Sequence, residues 1–454
     1  MKLTLKNVGC LSEAVIEPGE LTVFCGANNT GKTYAMYVLW GVIRRRFKNI
    51  FQFSVQLASK LKEERVITLS IDNMLNQHIN DIELAIGKAA TGYLPYLFST
   101  SEKMFANTNI EIFIDRESCR QRLTINEIKI SEPAIDARSE KNSDILTITL
   151  TVQQAPQELV AEIISTMIFE WLLGENNNSP FLLPAERGGL NMFYPQLDTT
   201  IALKIDIVRR LKPDNMEDLL NGIIRVQYAE PIQDYLNFLR KLPRLEKGET
   251  EFHDIAEGLQ QDITQVSYHI ADDGTIIIKP LGSKVDLGIH LTSSTVKNFF
   301  GLWAYLETIA KSGDCLMIDE PELNLHPDNQ RLIARLLVRL VNRGIKVVIS
   351  THSDYIVREI NNMIMLGNDF QNRGQMEKIW GYDLAGSERL RVEQVAAYHF
   401  EEKQVLKIPI SPEYGMEVTS MDNAINRMNQ SNSDIYFALQ DAIHPVITPE
   451  FVAE

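Results

Sequence analysis

The chain has 454 residues, 44% of them hydrophobic, enough to bury a sizeable core as one large unit with insertions or as a few smaller domains, which excludes a disordered or fibrous class. Its 45 Lys and Arg against 60 Asp and Glu give a formal net charge of −15, which opposes long-range nonspecific attraction to nucleic acid, so nucleic acid is not indicated as a partner although a local patch could still bind it. The start MKLTLKNVGC runs directly into strand alternation without an apolar leader, and no stretch approaches the roughly 20 apolar residues that span a bilayer, so the expectation is a cytoplasmic protein with no membrane association.

Two strands are predicted first, Lys2 to Val8 and Leu21 to Cys25, joined through a turn at Pro18 and Gly19. A helix follows from Lys32 to about Arg46, and its end carries the basic run Arg44, Arg45, Arg46, Phe47, Lys48, which reads either as a solvated helix end or as a patch for nucleic acid. Residues 51 to 96 are mostly helical. Segments 66 to 71, 109 to 114, 122 to 130 and 145 to 152 cluster or alternate β-branched residues and predict an antiparallel sheet beside the core.

An apolar helix over 158 to 173 leads to a polar turn, Asn176 to Ser179, and to the short strand-like run FLLPAERGGL of Phe181 to Leu190. Residues 199 to 243 read as helical, broken at Pro213 and near Pro231. Strand pattern returns in VSYHIADDGTIIIKP, where Asp272, Asp273 and Gly274 supply turn chemistry. The next block alternates regularly: a helix from Ser294 to about Lys311, the strand CLMID, a helix from Pro327 to Arg343, the strand IKVVIS and a helix from Asp354. In the second of these helices Leu332, Ile333, Leu336, Leu337, Leu340 and Val341 share a face, while Arg331, Arg335, Arg339 and Arg343 recur every four residues on another. From about 376 a β-rich piece and a helix near 420 to 440 are expected. The four cysteines, Cys10, Cys25, Cys119 and Cys315, have neither metal-ligand nor disulfide spacing and read as free thiols.

Three motifs carry chemistry. Gly26, Ala27, Asn28, Asn29, Thr30, Gly31, Lys32, Thr33 fits G-x-x-x-x-G-K-[ST] between an apolar strand and a helix that continues with Tyr34. Its glycines permit close backbone approach, its amides and the helix N-terminus face phosphates, Lys32 reaches their oxygens and the Thr33 hydroxyl ligates Mg²⁺. The apolar strand Leu316 to Ile318 ends in Asp319 and Glu320, which point to opposite sides, Asp319 to the metal and Glu320 to an attacking water as general base. His352 ends the next strand, at the carboxyl edge of the sheet, where it could sense the terminal phosphate or orient the water, or be structural. ATP and Mg²⁺ are the ligands this set predicts.

The runs IDEPELNLHP and ISTHSD resemble ATP-binding-cassette heads of the structural-maintenance-of-chromosomes kind and, more closely, the overcoming-lysogenization-defect-like ATPases, as does FLLPAERGGL. The resemblance covers roughly residues 1 to 50 and 180 to 370. It implies an α/β, ABC-type P-loop head, a parallel core sheet plus an antiparallel β subdomain, with a helical insertion and a small α+β C-terminal region. The corresponding boundaries are 1–190 and 251–370 for the two halves of the head, 191–250 for the insertion and 371–454 for the C-terminal region. It also implies a homodimer or higher homo-oligomer, closed head-to-head on ATP, with each nucleotide touched by the partner's signature helix. Here that position is Ser293 and Ser294 without the usual glycine, which serve either as phosphate contacts or as plain helix caps.

Asn324, Leu325 and His326 fall in the loop that contacts the partner in such heads, although His326 before Pro327 could simply start the helix. Glu186 and Arg187 contact nucleotide or partner, or form a surface ion pair. The implied role is the ATPase or sensor subunit of a prokaryotic defence against phage or mobile DNA. No Asp-x-Asp follows the last core helix, so a nuclease in cis is not expected and a separately encoded nuclease or toxin is the implied partner. A DNA-repair or chromosome-tethering ATPase is the alternative, and it would call for a long coiled-coil arm or a coherent basic groove. A transporter's cytosolic subunit fits least, for want of a glycine-rich signature.

Overall fold

The computed structural model describes residues 1–44, 51–125, 128–132, 134–152, 154–173, 180–194, 228–245, 250–271 and 274–443. Arg45 to Lys48 of the basic run, the turn Asn176 to Ser179, Asp272, Asp273 and most of the expected helical stretch 199 to 243 lie outside them.

The strands among the described residues are β1 (Lys2–Val8), β2 (Leu11–Ile16), β3 (Leu21–Gly26), β4 (Val66–Ser70), β5 (Asn109–Phe113), β6 (Ile128–Glu132), β7 (Ile135–Ser139), β8 (Ile145–Leu150), β9 (Phe181–Leu183), β10 (Val266–Ile270), β11 (Ile276–Pro280), β12 (Leu287–Gly288), β13 (Cys315–Asp319), β14 (Lys346–Thr351), β15 (Val395–Glu401), β16 (Gln404–Ile408), β17 (Ile410–Ser411) and β18 (Gly415–Met416). Nine of them form one sheet in the order β5-β1-β2-β16-β15-β3-β14-β13-β9. From β15 to β9 all neighbours run parallel, and β5, β1 and β2 make an antiparallel wing. The fold is therefore the expected α/β type, with a P-loop core and an attached β subdomain.

The parallel strands are apolar on both faces, as strands covered on both sides must be, and β3 is buried at every position. Alternation along them sorts residues between two cores. Phe24, Met317 and Val348 join the core with the helix Lys32–Arg44 and the helices Ile79–Leu97 and Gln157–Leu173. Their neighbours Val23, Cys25, Leu316, Ile318, Val347 and Ile349 join the core with the helices Ser294–Thr308, Pro327–Asn342 and Asp354–Leu366. By the same parity Asp319 lies on the Met317 side, facing the helix that begins at Lys32.

Several expectations need correction. Between the first two predicted strands lies a third, β2, hairpinned to β1 through Gly9, whose φ of 58° suits a tight turn. Residues 116–125 are a helix, Arg116–Ile125, rather than the start of a strand over 122 to 130, and only β6 keeps strand form. Its polar composition and the cap-like Asp115, which accepts hydrogen bonds from Glu117 N and Ser118 Oγ, outweigh the short β-branched run. Strand β5 joins the main sheet, while β4, β8, β7 and β6 form a separate antiparallel sheet. The segment from 373 opens with a helix, Arg373–Trp380, ended by the left-handed Gly381, so β structure begins only at 395. Strands β15 and β16 lie inside the central sheet, β15 beside β3, although both fall beyond residue 370 in the chain.

Candidate nucleotide site

Strand β3 delivers the glycine loop at the carboxyl edge of the parallel strands, the edge where α/β folds bind ligands. Gly26 has φ 139°, and a Cβ there would stand 2.3 Å from the Phe400 carbonyl oxygen of β15. Gly31 has φ 99°, and its Cβ would strike Leu11 of β2 at 2.6 Å. Both glycines are demanded by space and conformation together, and the elements that demand them are the two strands that sequence reading missed or set apart.

Lys32 is buried, and its Nζ donates to the Gly26 and Ala27 carbonyls at 3.0 and 2.7 Å. Burial lowers its pKa, with Glu320, Asp319 and Glu322 pulling the other way. The Thr33 hydroxyl donates to Asp319 Oδ2 at 2.9 Å, and Ser350 Oγ bonds Asp319 Oδ1 from the adjacent strand, in register with it. Asn28, Asn29, Thr30, Gly31, Lys32, Thr33, Tyr34 and Glu320 line a cleft of about 560 Å³, together with Cys10. Ala27 is exposed beside it. The Tyr34 ring stacks on Phe98 with 5.0 Å between centroids, which fixes it against the wall of the cleft.

Glu320 leaves the strand with φ 51°, a conformation unusual for a residue with a side chain. Four bonds hold it, one of them from the Leu323 amide to its carbonyl at 3.2 Å. Its amide donates to Ser350 O and Oγ at 3.1 and 3.2 Å, and its carbonyl accepts from Arg187 Nη2 at 2.8 Å. Arg187 Nη1 also donates to the Asp319 and Pro184 carbonyls at 2.7 and 3.1 Å. Arg187 is only 1% exposed, so it is neither a surface ion pair nor a direct nucleotide contact: it is a bracket under the end of β13. Gly188 packs against Asn298, and Asn191, just past the FLLPAERGGL run, donates to the Lys297 carbonyl at 2.7 Å, so this stretch also braces the helix Ser294–Thr308.

Burial raises the Glu320 carboxyl pKa above its ordinary 4.5, with Asp319 and Glu322 adding to the rise while His352 and Lys32 oppose it. His352 Nδ1 lies 3.7 Å from Glu320 Oε1 and 3.4 Å from Glu322 Oε1. Glu322, which carried no assignment in the sequence, is 5% exposed. Its Oε1 accepts from Thr351 Oγ1 and the His352 amide, both at 2.8 Å, while its Oε2 is buried without a hydrogen-bond partner among the described residues. The acidic pattern Asp-Glu-x-Glu was its only signal, and nothing in a linear reading ties the third carboxylate to the histidine strand.

Ser293 caps the helix Ser294–Thr308 by accepting from Val296 N at 3.3 Å, and Ser294 is exposed beside it. The structure thus shows the capping geometry, and neither serine lines the cleft. Thr295 Oγ1 donates to the carbonyl of Asn324, whose φ is 59°, and His326 caps the helix Pro327–Asn342.

A glycine loop on a buried strand, a helix started by its lysine and a threonine-aspartate contact to the parallel strand β13 define a P-loop nucleotide-binding core. The chain belongs to the AAA ATPase domain family, which it matches over residues 1–178 and 189–357. No curated protein matches it. Among solved structures it is similar to the Smc head bound to the C-winged helix domain of ScpA, at 12% identity over 90% of this chain and 96% of that one, with a TM-score of 0.34. It is also similar to the Smc head with an extended coiled coil bound to the C-terminal domain of ScpA from Pyrococcus furiosus, at 13% over 95% and 98%, TM-score 0.32. The SMC head domain from Thermotoga maritima matches at 10% over 90% and 98%, TM-score 0.33. At such scores these likenesses add nothing to the sheet order.

Proposed function

We propose that the chain binds ATP with Mg²⁺ and hydrolyses it at this cleft. The observation that carries the reading is convergence: Thr33 and Asp319, distant in sequence, meet at 2.9 Å beside a buried lysine that spends its donors on loop carbonyls. A buried ammonium bonded only to carbonyls is poised to exchange them for phosphate oxygens, which are stronger, charged acceptors. The Thr33 hydroxyl and the Asp319 carboxylate would hold Mg²⁺, which supplies charge neutralisation on the phosphates.

Glu320 is the general base. Its carboxylate takes a proton from the water whose oxygen attacks the terminal phosphorus, as the bond to the ADP oxygen breaks. The raised pKa suits a base that must accept a proton near neutrality. His352 and Glu322 orient that carboxylate from one side, and Arg187 fixes its backbone from beneath. Two copies would close on ATP with Ser294 of each turned to the other's phosphates.

The resemblance to lysogenization-defect-like ATPases supplies the setting: a cytoplasmic sensor subunit in a defence system against phage or mobile DNA, acting through a separately encoded nuclease or toxin. Purification with ATP and Mg²⁺ from native cells tests it, since stoichiometric recovery of such an effector supports the reading and recovery of bound DNA alone moves it to the repair and tethering class. The site itself is tested by nucleotide binding and phosphate release. Lys32→Ala is expected to lose ATP binding, and a variant that binds with parent affinity would remove the lysine from its assigned role.

A further inference from the structure

The helix Thr419–Ile443 is 25 residues long, roughly 37 Å at about 1.5 Å per residue, and every residue from 426 to 439 is exposed. A helical stretch with no buried side chain over these residues has little reason to persist alone in water. Apart from Tyr436 and Phe437, its exposed large apolar side chains fall on one line. Met428, Asn432, Ile435 and Leu439 follow one another at spacings of four, three and four, the seam of a heptad repeat, with Met428 65%, Ile435 69% and Leu439 54% exposed. The sequence continues the same spacing to Ile425 and Met421 at one end and to Ala442 at the other. On the outer face Gln430 donates to Asp434 Oδ1 at 2.7 Å, as solvent-facing residues do.

We infer that this helix pairs in parallel with the same helix of a second copy of this chain, independently of nucleotide. Three features select a second copy. With Ile425, Asn432 and Leu439 at the a positions and Met428 and Ile435 at d, the single polar residue in the seam is an asparagine at a, which meets its own counterpart only in a parallel, in-register pair. The flanking g positions are Ala424, Ser431 and Ala438 and the e positions include Asn429 and Tyr436, so no like charges face each other across the seam. Tyr436 is exposed at the seam's edge and steadied by Phe437, whose ring meets it edge-on at 5.5 Å. Leu at a with Ile at d favours larger bundles, and Asn432 opposes that at a cost in stability, setting the number at two.

Sedimentation of the chain without nucleotide tests the pairing. The native chain is expected to be a dimer at micromolar concentration and Ile435→Asp a monomer, with the core Tm and ATP affinity of Ile435→Asp unchanged because the residue touches neither. Asn432→Leu is expected to assemble into a larger species than the dimer. A native chain that sediments as a monomer, or an Ile435→Asp dimer that persists, would overturn the pairing. Because all of these readings are taken without nucleotide, they stand apart from the ATPase assignment, which fails or holds on Lys32→Ala and Glu320→Gln.

Discussion

At the scale of single residues, the carboxylate proposed as the general base is set by its backbone as much as by its side chain. Glu320 occupies a left-handed conformation whose carbonyl is held by a buried arginine. Arg187→Ala is expected to lower stability by about 2 to 3 kcal/mol, the scale of losing charge-assisted hydrogen bonds from a buried site. It should also lower kcat more than it raises KM, because Arg187 does not line the cleft; thermal unfolding with steady-state kinetics separates the two. Arg187→Lys should behave similarly, since an ammonium cannot reach the Pro184, Asp319 and Glu320 carbonyls as a planar fork does.

The Glu320 carboxyl yields two further expectations. As the proposed general base Glu320 acts in its ionised form, so the acid limb of the kcat profile should lie above the ordinary 4.5 of a glutamate, and a limb at or below that value would contradict the burial-driven rise. For stability the sign follows from proton counting. The folded-state pKa exceeds the unfolded one, so the folded chain binds the extra proton between them, and stability is lost as pH rises across that window. A neutral glutamine escapes that loss, so Glu320→Gln should show a Tm at neutral pH no lower than the parent; a clear drop would mean that the carboxylate serves the fold.

At the scale of elements, the arginine stripe of Pro327–Asn342 shows what a linear reading can and cannot give. Its four-residue recurrence was plain in the sequence, but its use was not. Arg331 and Arg335 bind the buried Glu359 at 2.8 and 2.6 Å, Arg339 binds the buried Glu388 at 2.5 Å, and Arg343 binds Asp254 at 2.5 Å. The stripe thus ties this helix to Glu359 of the helix Asp354–Leu366, to the turn at Glu388 and to Asp254, and Arg44 of the other basic run pairs with Asp234. Burial pushes the Glu359 carboxyl up, but its bonds from Arg331 and Arg335 more than reverse this and leave it below the usual range. Its contribution to stability is therefore present above the unfolded pKa and lost as pH falls through the folded one. Arg335→Ala should cost about 3 kcal/mol at neutral pH, the scale for breaking a buried pair, with a smaller difference in acid. Equal denaturant midpoints at neutral pH would contradict this.

Over the whole molecule, legibility tracked sequence distance. The glycine loop, Asp319 and Glu320 were visible because each motif is contiguous and sits between a strand and a turn or helix. Strand β2 was hidden because six residues in a polar-apolar alternation sit close to a turn that can be placed on either side of them. Strands β15 and β16 could not be assigned to the sheet from sequence, since their partners lie near the opposite end of the chain, and Phe400 presses its carbonyl on Gly26 across that whole separation. Glu322 and Arg187 escaped for the same reason: each acts through contacts to another strand. What unites these pieces is a site whose glycine loop and carboxylates come from distant parts of the chain and meet only in the folded sheet.

The most direct test of that site is phosphate release by Glu320→Gln at saturating ATP and Mg²⁺, alongside its ATP affinity. The account predicts parent-like binding with hydrolysis slower by on the order of 100-fold or more, the scale of removing a general base. Hydrolysis at the parent rate with intact binding would contradict it.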